Sequence, residues 1–119
     1  RDVDSHQDLP HMIRTYLNEH YMQELQQTDV AAVFHMSGPY FSQYFKQSFG
    51  VNYVQYLNSL RIEKAKLLLV TTQNSTESIG ALVGIPNVNY FFRLFKKTEG
   101  CTIREYRKRH TESKKVHKS

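Results

Sequence analysis

Two sets of polar side chains stand at helical spacing in this chain, and both carry groups suited to the edges of nucleic-acid bases. In the first set, Ser42, Gln43, Lys46 and Gln47 fall between Phe41, Phe45 and Phe49. Those phenylalanines recur at i, i+4 and i+8 and share one helix face, so the polar residues take the opposite face. The Gln43 amide can donate and accept at once, at adenine N6 and N7, and the Ser42 hydroxyl can bond either way. In the second set, Phe91 and Phe95 leave Asn89, Arg93, Lys96 and Lys97 outward. Arg93 suits a bidentate contact to guanine O6 and N7, and Asn89 suits adenine. Val88 and Phe92 fit either thymine-methyl contacts or packing. Tyr40 fits a backbone or a thymine-methyl contact. Ser37, at the start of the first helix, fits a phosphate together with free backbone N–H groups. Gln47, Asn87 and Lys97 are assigned to the backbone as well. Lys46 and Lys96 recur at equivalent places, as phosphate contacts or as solvated lysines.

Catalytic chemistry finds little support. The chain has six histidines, but none forms a His-Glu-x-x-His or other metal spacing, and His6 and His11 are five apart. Cys101 is the single cysteine, which rules out an internal disulfide and fits a reducing cytoplasm. There is no glycine-rich phosphate loop and no Gly-x-Ser-x-Gly. No metal site, cofactor or enzymatic activity is expected. His35 reads as a turn or surface residue.

The elements that position these residues follow from an internal repeat. Tyr40, Phe41, Phe45, Lys46, Gly50 and Tyr56 recur fifty residues later as Tyr90, Phe91, Phe95, Lys96, Gly100 and Tyr106. Two copies are too few for a solenoid and read as one supersecondary unit used twice. Ser37 with Pro39 marks one helix start, Asn87 after Pro86 another, and Gly50 and Gly100 mark the stops, giving helices over 37–49 and 87–99. A shorter apolar helix precedes each. Thr28 or Asp29 caps the one containing Val30 and Val33, and Asn74 with Glu77 forms a capping box before Ile79, Leu82 and Val83. Gly84 supplies a tight turn, and Ala31, Gly80 and Ala81 permit close approach. Short helix, turn and longer helix is the plan of a helix-turn-helix, and equally of an ordinary αα-hairpin in a bundle.

Residues 52–70 hold no glycine or proline and repeat Tyr53, Tyr56, Leu57, Leu60, Lys64, Ala65 and Leu68 at helical spacing. One helix there would be roughly 28 Å long at 1.5 Å per residue. That is close to the ~34 Å between successive major-groove segments on one face of B-DNA. Residues 9–22 form a further amphipathic helix, with Pro10 at its first position, and Thr102–Arg109 a last short one with Ile103 and Tyr106 inward. The fold class is all-α. Charge is uneven: residues 1–29 carry two basic and six acidic residues, and residues 30–119 carry fourteen and five, which together give the net charge of +5. A basic C-terminal part points to a polyanionic partner. No apolar run exceeds Val30–Phe34, far short of a membrane span. The first residue is Arg1, as expected of a fragment of a longer protein.

The stretch carrying Ser37, Tyr40, Phe41, Ser42, Phe45, Lys46 and Gly50 resembles the first half of the AraC/XylS family DNA-binding domain. The stretch from Tyr56 to Leu69, with Arg61, Ala65 and Leu68, resembles that family's middle helix. Ile79, Val83, Gly84, Tyr90, Phe91, Arg93, Phe95, Lys96, Gly100, Tyr106 and Arg107 resemble its C-terminal signature. The resemblance implies seven helices, with two helix-turn-helix units joined by the long helix. It implies an N-terminal linker at 1–8, a DNA-binding domain at 9–110 (units at about 9–50 and 74–110) and a basic, disordered tail at 111–119. It further implies sequence-specific binding of double-stranded DNA in a bacterial-type transcription regulator, mostly an activator. Pro39, Ser42 and Gln43 take base-facing positions. Arg61 is expected to be structural, whereas Arg104, Arg107, Lys108 and Arg109 add positive field near the backbone. RNA polymerase and a regulatory or dimerisation domain preceding Arg1 are implied partners, with the isolated domain a monomer. Ile103 departs from the family's usual proline at the start of the last helix. The rival readings are a helical protein-interaction module, for which fifteen Phe and Tyr residues could build a groove, and RNA binding, which fits the charge but lacks an RNA-binding motif.

Overall fold

The computed structural model describes the backbone of residues 2–118 and the side chains of residues 8–111. Seven α-helices and no strand occur among the described residues: α1 Asp2–His20, α2 Gln27–Val33, α3 Gly38–Phe49, α4 Tyr53–Thr71, α5 Thr76–Leu82, α6 Val88–Glu99 and α7 Ile103–Lys118. They form two compact units, Arg1–Leu60 and Arg61–Ser119, with the division falling inside α4.

In the first unit, Ile13 and Leu17 of α1, Val30 and Ala31 of α2, Phe41 and Phe45 of α3, and Tyr53 and Leu57 of α4 make one core. Phe45 sits at its centre, stacked on Phe49 at 4.1 Å and edge-on to Tyr53 and Tyr56 at 5.7 and 5.4 Å between centroids. The Tyr53 hydroxyl donates to the Leu25 carbonyl at 2.8 Å, so its buried polar tip is satisfied. In the second unit Ile62, Ala65 and Leu69 of α4 are buried, as are Ile79, Val83, Ile85, Phe91, Phe95 and Ile103. The repeat is kept in the packing. Phe45 meets Tyr56 at 5.4 Å, and Phe95 meets Tyr106 at 5.5 Å, both edge-on.

Most helix ends follow the capping residues. The Tyr40 N–H donates to Ser37 Oγ at 3.2 Å and the Tyr90 N–H to Asn87 Oδ1 at 2.9 Å, while Gly50 and Gly100 end α3 and α6, both at φ 80°. Two caps differ from expectation by one to three residues. The α2 cap is Gln26, whose N–H donates to Asp29 Oδ2 at 3.2 Å, so Asp29 lies inside the helix. The α5 cap is Ser75 and not Asn74; the Ser78 N–H donates to Ser75 Oγ at 3.1 Å. Ile103, in place of proline, still opens a well-capped helix. The Glu105 N–H donates to Thr102 Oγ1 at 3.0 Å, and Glu105 Oε1 accepts from the Thr102 N–H at 2.9 Å, closing a capping box. The hydrogen bonds from Thr102 hold the Glu105 carboxyl below the usual carboxylate range.

The two terminal helices are longer than the sequence reading has them. α1 begins at Asp2 and carries Pro10 inside it, not at its first position. Pro10 has no N–H to give residue 6, so the ladder loses one bond there while the helix continues. α7 runs on to Lys118 through a stretch that holds no glycine or proline to stop it. The tail at 111–119, expected to be disordered, is therefore helical in its backbone as far as Lys118; its side chains from residue 112 on, and Ser119 as a whole, lie outside the described residues. Along α4, Ile62 and Leu69 are buried where a single stripe through Lys64 and Leu68 was expected, because the helix supplies one core from its first part and another from its second.

The turn inside each unit is tight. The Ile85 N–H donates to the Gly80 carbonyl at 2.7 Å, and the Met36 N–H to the Ala31 carbonyl at 2.9 Å. A Cβ at Gly80 would lie 2.9 Å from both the Ile85 carbonyl oxygen and Phe91 Cδ2, so only glycine fits between α5 and α6. The next turn residue is left-handed in each unit: Gly84 at φ 93° in the second and His35 at φ 59° in the first. A left-handed conformation costs an L-residue about 1–2 kcal/mol, partly offset by glycine's greater unfolded entropy. His35→Gly is therefore expected to stabilise the protein by about 0.5 kcal/mol. Urea denaturation checks this, and a loss of stability would mean that the imidazole contributes more than its backbone strain.

Candidate nucleic-acid interface

The face of α3 opposite Phe41 and Phe45 holds Ser42, Gln43, Lys46 and Gln47, all exposed, with Pro39 exposed in its first turn. Tyr40 is 58% exposed and stacks on Tyr44 at 6.3 Å, so its ring is available beside the polar set. Ser37 is exposed, but its oxygen already accepts the Tyr40 N–H. What Ser37 has left to offer an anion is its hydroxyl hydrogen and the unpaired N–H groups of the helix start.

The second unit repeats the arrangement with different chemistry. Phe91 and Phe95 are fully buried, and Asn89, Arg93, Lys96 and Lys97 are exposed on the other side of α6. Asn87 spends its side-chain oxygen on the Tyr90 N–H, which leaves its NH₂ as a donor. Between the two residues of ambiguous role, Phe92 is 44% exposed and so stands outside the core, whereas Val88 is half-buried. The Arg93 guanidinium lies 5.9 Å from the centre of the Tyr90 ring one turn back, a contact that limits its rotamers without burying it.

Phe92, Arg93, Lys96 and Lys97 also line an open groove of about 870 Å³ against the starts of α5 and α7. Arg104, which the sequence places only in the general positive field, lines the same groove. The signal that could have found it is the Thr102–Glu105 capping box, which sets Arg104 in the first turn of α7. Arg107 behaves differently. Its Nε donates to the Leu69 carbonyl at 3.1 Å and its Nη2 to the Thr72 carbonyl at 2.9 Å. It closes the C-terminal end of α4, where free carbonyls and the helix dipole favour a cation. Lys66 is also engaged, with Glu99 at 3.0 Å and Glu63 at 3.1 Å, and the hydrogen bond to Glu99 raises its ammonium above the ordinary lysine value. Arg61, expected to be structural, is half-buried.

Among the described residues no group of three or more His, Cys, Asp or Glu side chains is placed to hold a metal, and no helix is long and apolar enough to cross a membrane.

Comparison with known proteins gives a consistent answer. The model of a helix-turn-helix domain matches residues 30–109. The uncharacterised HTH-type transcriptional regulator YisR of Bacillus subtilis is 38% identical over 93 residues, covering 78% of this chain and 32% of YisR. The C-terminal domain of the two-component response regulator yesN from Fusobacterium nucleatum superposes with a TM-score of 0.82 at 35% identity, over 84% of this chain and 98% of that one. The DNA-binding domain of the global transcriptional factor AdpA, solved with a target DNA, has the same fold: TM-score 0.82, 22% identity, 86% of this chain and 92% of that one. The chain spans about a third of the length of curated relatives such as YisR and YijO of Escherichia coli.

Proposed function

The chain belongs to the AraC-type helix-turn-helix family of DNA-binding transcription regulators, and from that premise we propose that it reads double-stranded DNA by inserting α3 and α6 into adjacent major-groove segments. The observation that carries this reading is the face each unit presents: a capped helix of 12 residues whose two buried phenylalanines turn hydrogen-bonding side chains outward. Arg93 pairs with guanine, and Gln43 and Asn89 with adenine. Ser42 bonds a neighbouring base edge. Pro39, Val88 and Phe92 supply apolar contact, for which a thymine methyl is the complement. Ser37, Tyr40, Lys46, Gln47, Asn87, Lys96 and Lys97 hold sugar-phosphate and fix the register.

The reading domain occupies 9–110, and the regulator acts in the cytoplasm, most naturally as an activator. RNA polymerase and a regulatory or dimerising domain ahead of Arg1 are its further partners, and the isolated domain binds as a monomer. The family and fold are those of DNA-binding regulators, and no enzymatic step is assigned.

Selection of bound sequences from a random duplex pool tests the proposal. Two short motifs about ten base pairs apart are expected, one for each reading helix. A single motif would remove the base-reading role from one unit. No enrichment would overturn the proposal in favour of a helical protein-interaction module.

A further inference from the structure

The two units are built alike but charged oppositely. Arg1–Leu60 holds three basic residues (Arg1, Arg14, Lys46) and six acidic ones, a net −3; Arg61–Ser119 holds thirteen basic and five acidic, a net +8, and together they give the chain's +5. The repeat allows the comparison position by position. In the second unit Arg93, Lys96, Lys97 and Arg104 line one groove. Fifty residues earlier, the corresponding places hold Gln43, Lys46, Gln47 and Val54, all exposed. Four cations thus face one, and Val54 stands 59% exposed where the second unit has Arg104. Glu77 is the one carboxylate among the groove's lining residues.

We propose that the second unit is the electrostatic anchor on the duplex: its groove takes a phosphodiester strand between Lys96, Lys97 and Arg104, and the first unit adds base reading with little salt-dependent hold of its own. Phosphate neutralisation releases condensed cations, and each contact steepens the dependence of log affinity on log salt by about 0.9. A net-negative unit with one reading-helix cation gains almost nothing from that source and is repelled at long range. It therefore docks only where its short-range hydrogen bonds find their bases. Non-specific duplex is held by the second unit. This inference rests on the duplex-DNA reading above, and it says which half of the domain supplies affinity to DNA of any sequence.

The test measures binding of a fluorescent random duplex by anisotropy across a salt series, using the whole chain. Lys96→Gln/Lys97→Gln/Arg104→Gln is expected to flatten the salt slope by about 2.7 and to weaken random-duplex binding by roughly tenfold or more. Lys46→Gln should flatten it by no more than about 0.9. A transplant in the other direction, Gln43→Arg/Gln47→Lys/Val54→Arg, should steepen the slope and tighten random-duplex binding. All substituted positions are exposed, and circular dichroism confirms that each variant is folded. Equal slope changes for the triple variant and for Lys46→Gln, or no change for the triple variant, would overturn the anchor assignment while leaving duplex binding intact. If the unsubstituted chain binds neither random nor selected duplex, it is the DNA reading itself that fails.

Discussion

Replacing Phe95 by alanine is expected to remove about 3–5 kcal/mol of stability from the second unit. The ring is fully buried, edge-on to Phe91 at 6.4 Å and to Tyr106 at 5.5 Å, so its loss forfeits both apolar transfer and the contacts of its neighbours. On the usual per-residue scale, a unit of some sixty residues holds only about 3–9 kcal/mol. The substitution therefore consumes most of what keeps α5, α6 and α7 together. Because α6 carries Arg93, Lys96 and Lys97, DNA binding should fail with the fold, not through a lost contact. Hydrogen exchange on the whole chain separates the two. Amides of α6 should lose protection by roughly two to four orders of magnitude, while those of α3 keep most of theirs. A loss below about 1 kcal/mol would mean that α6 is not held by this ring.

What could be read from the sequence was what local chemistry decides. The repeat marked both α3 and α6 because Phe41, Phe45, Phe91 and Phe95 lie at one spacing and are bracketed by Ser37, Asn87, Gly50 and Gly100, each of which acts on its own backbone. The residues assigned to bases and phosphates are all exposed except the half-buried Val88, since a helix with one buried stripe leaves only one other side. Failures came where the decision is made elsewhere in the fold. Gln26 is a weaker cap than Thr28 on propensity alone, and it wins because Asp29 reaches back to its N–H. Pro10 looked like a helix start, yet α1 passes through it. Arg107 looked like one more cation in a basic stretch, but two carbonyls 38 and 35 residues away claim its guanidinium. His35 gave no sign of a left-handed backbone, because nothing in the side chain demands one; the Met36 N–H, bonded back to the Ala31 carbonyl, imposes it.

Arg93→Ala is expected to cost about 1–3 kcal/mol of binding to the selected duplex, roughly 5- to 150-fold, and much less on random duplex. Arg93 is also a cation in the groove of the second unit, so a loss on alanine substitution alone does not distinguish a lost base contact from a lost charge. Arg93→Lys separates them. Lysine keeps the charge and the reach but has no planar fork, so it cannot pair with guanine O6 and N7 together. If Arg93 reads a base, the lysine variant should resemble wild type on random duplex, with an unchanged salt slope, and fall toward the alanine variant on the selected one. The Tyr90 ring 5.9 Å from the guanidinium supports this, because a contact that narrows the rotamers of an exposed arginine lowers the entropy cost of fixing its fork against one base. A lysine variant that binds the selected duplex as well as wild type would make Arg93 a phosphate contact. An alanine variant that weakens both duplexes equally would do the same. The discrimination made by α6 would then have to come from Val88, Asn89 and Phe92.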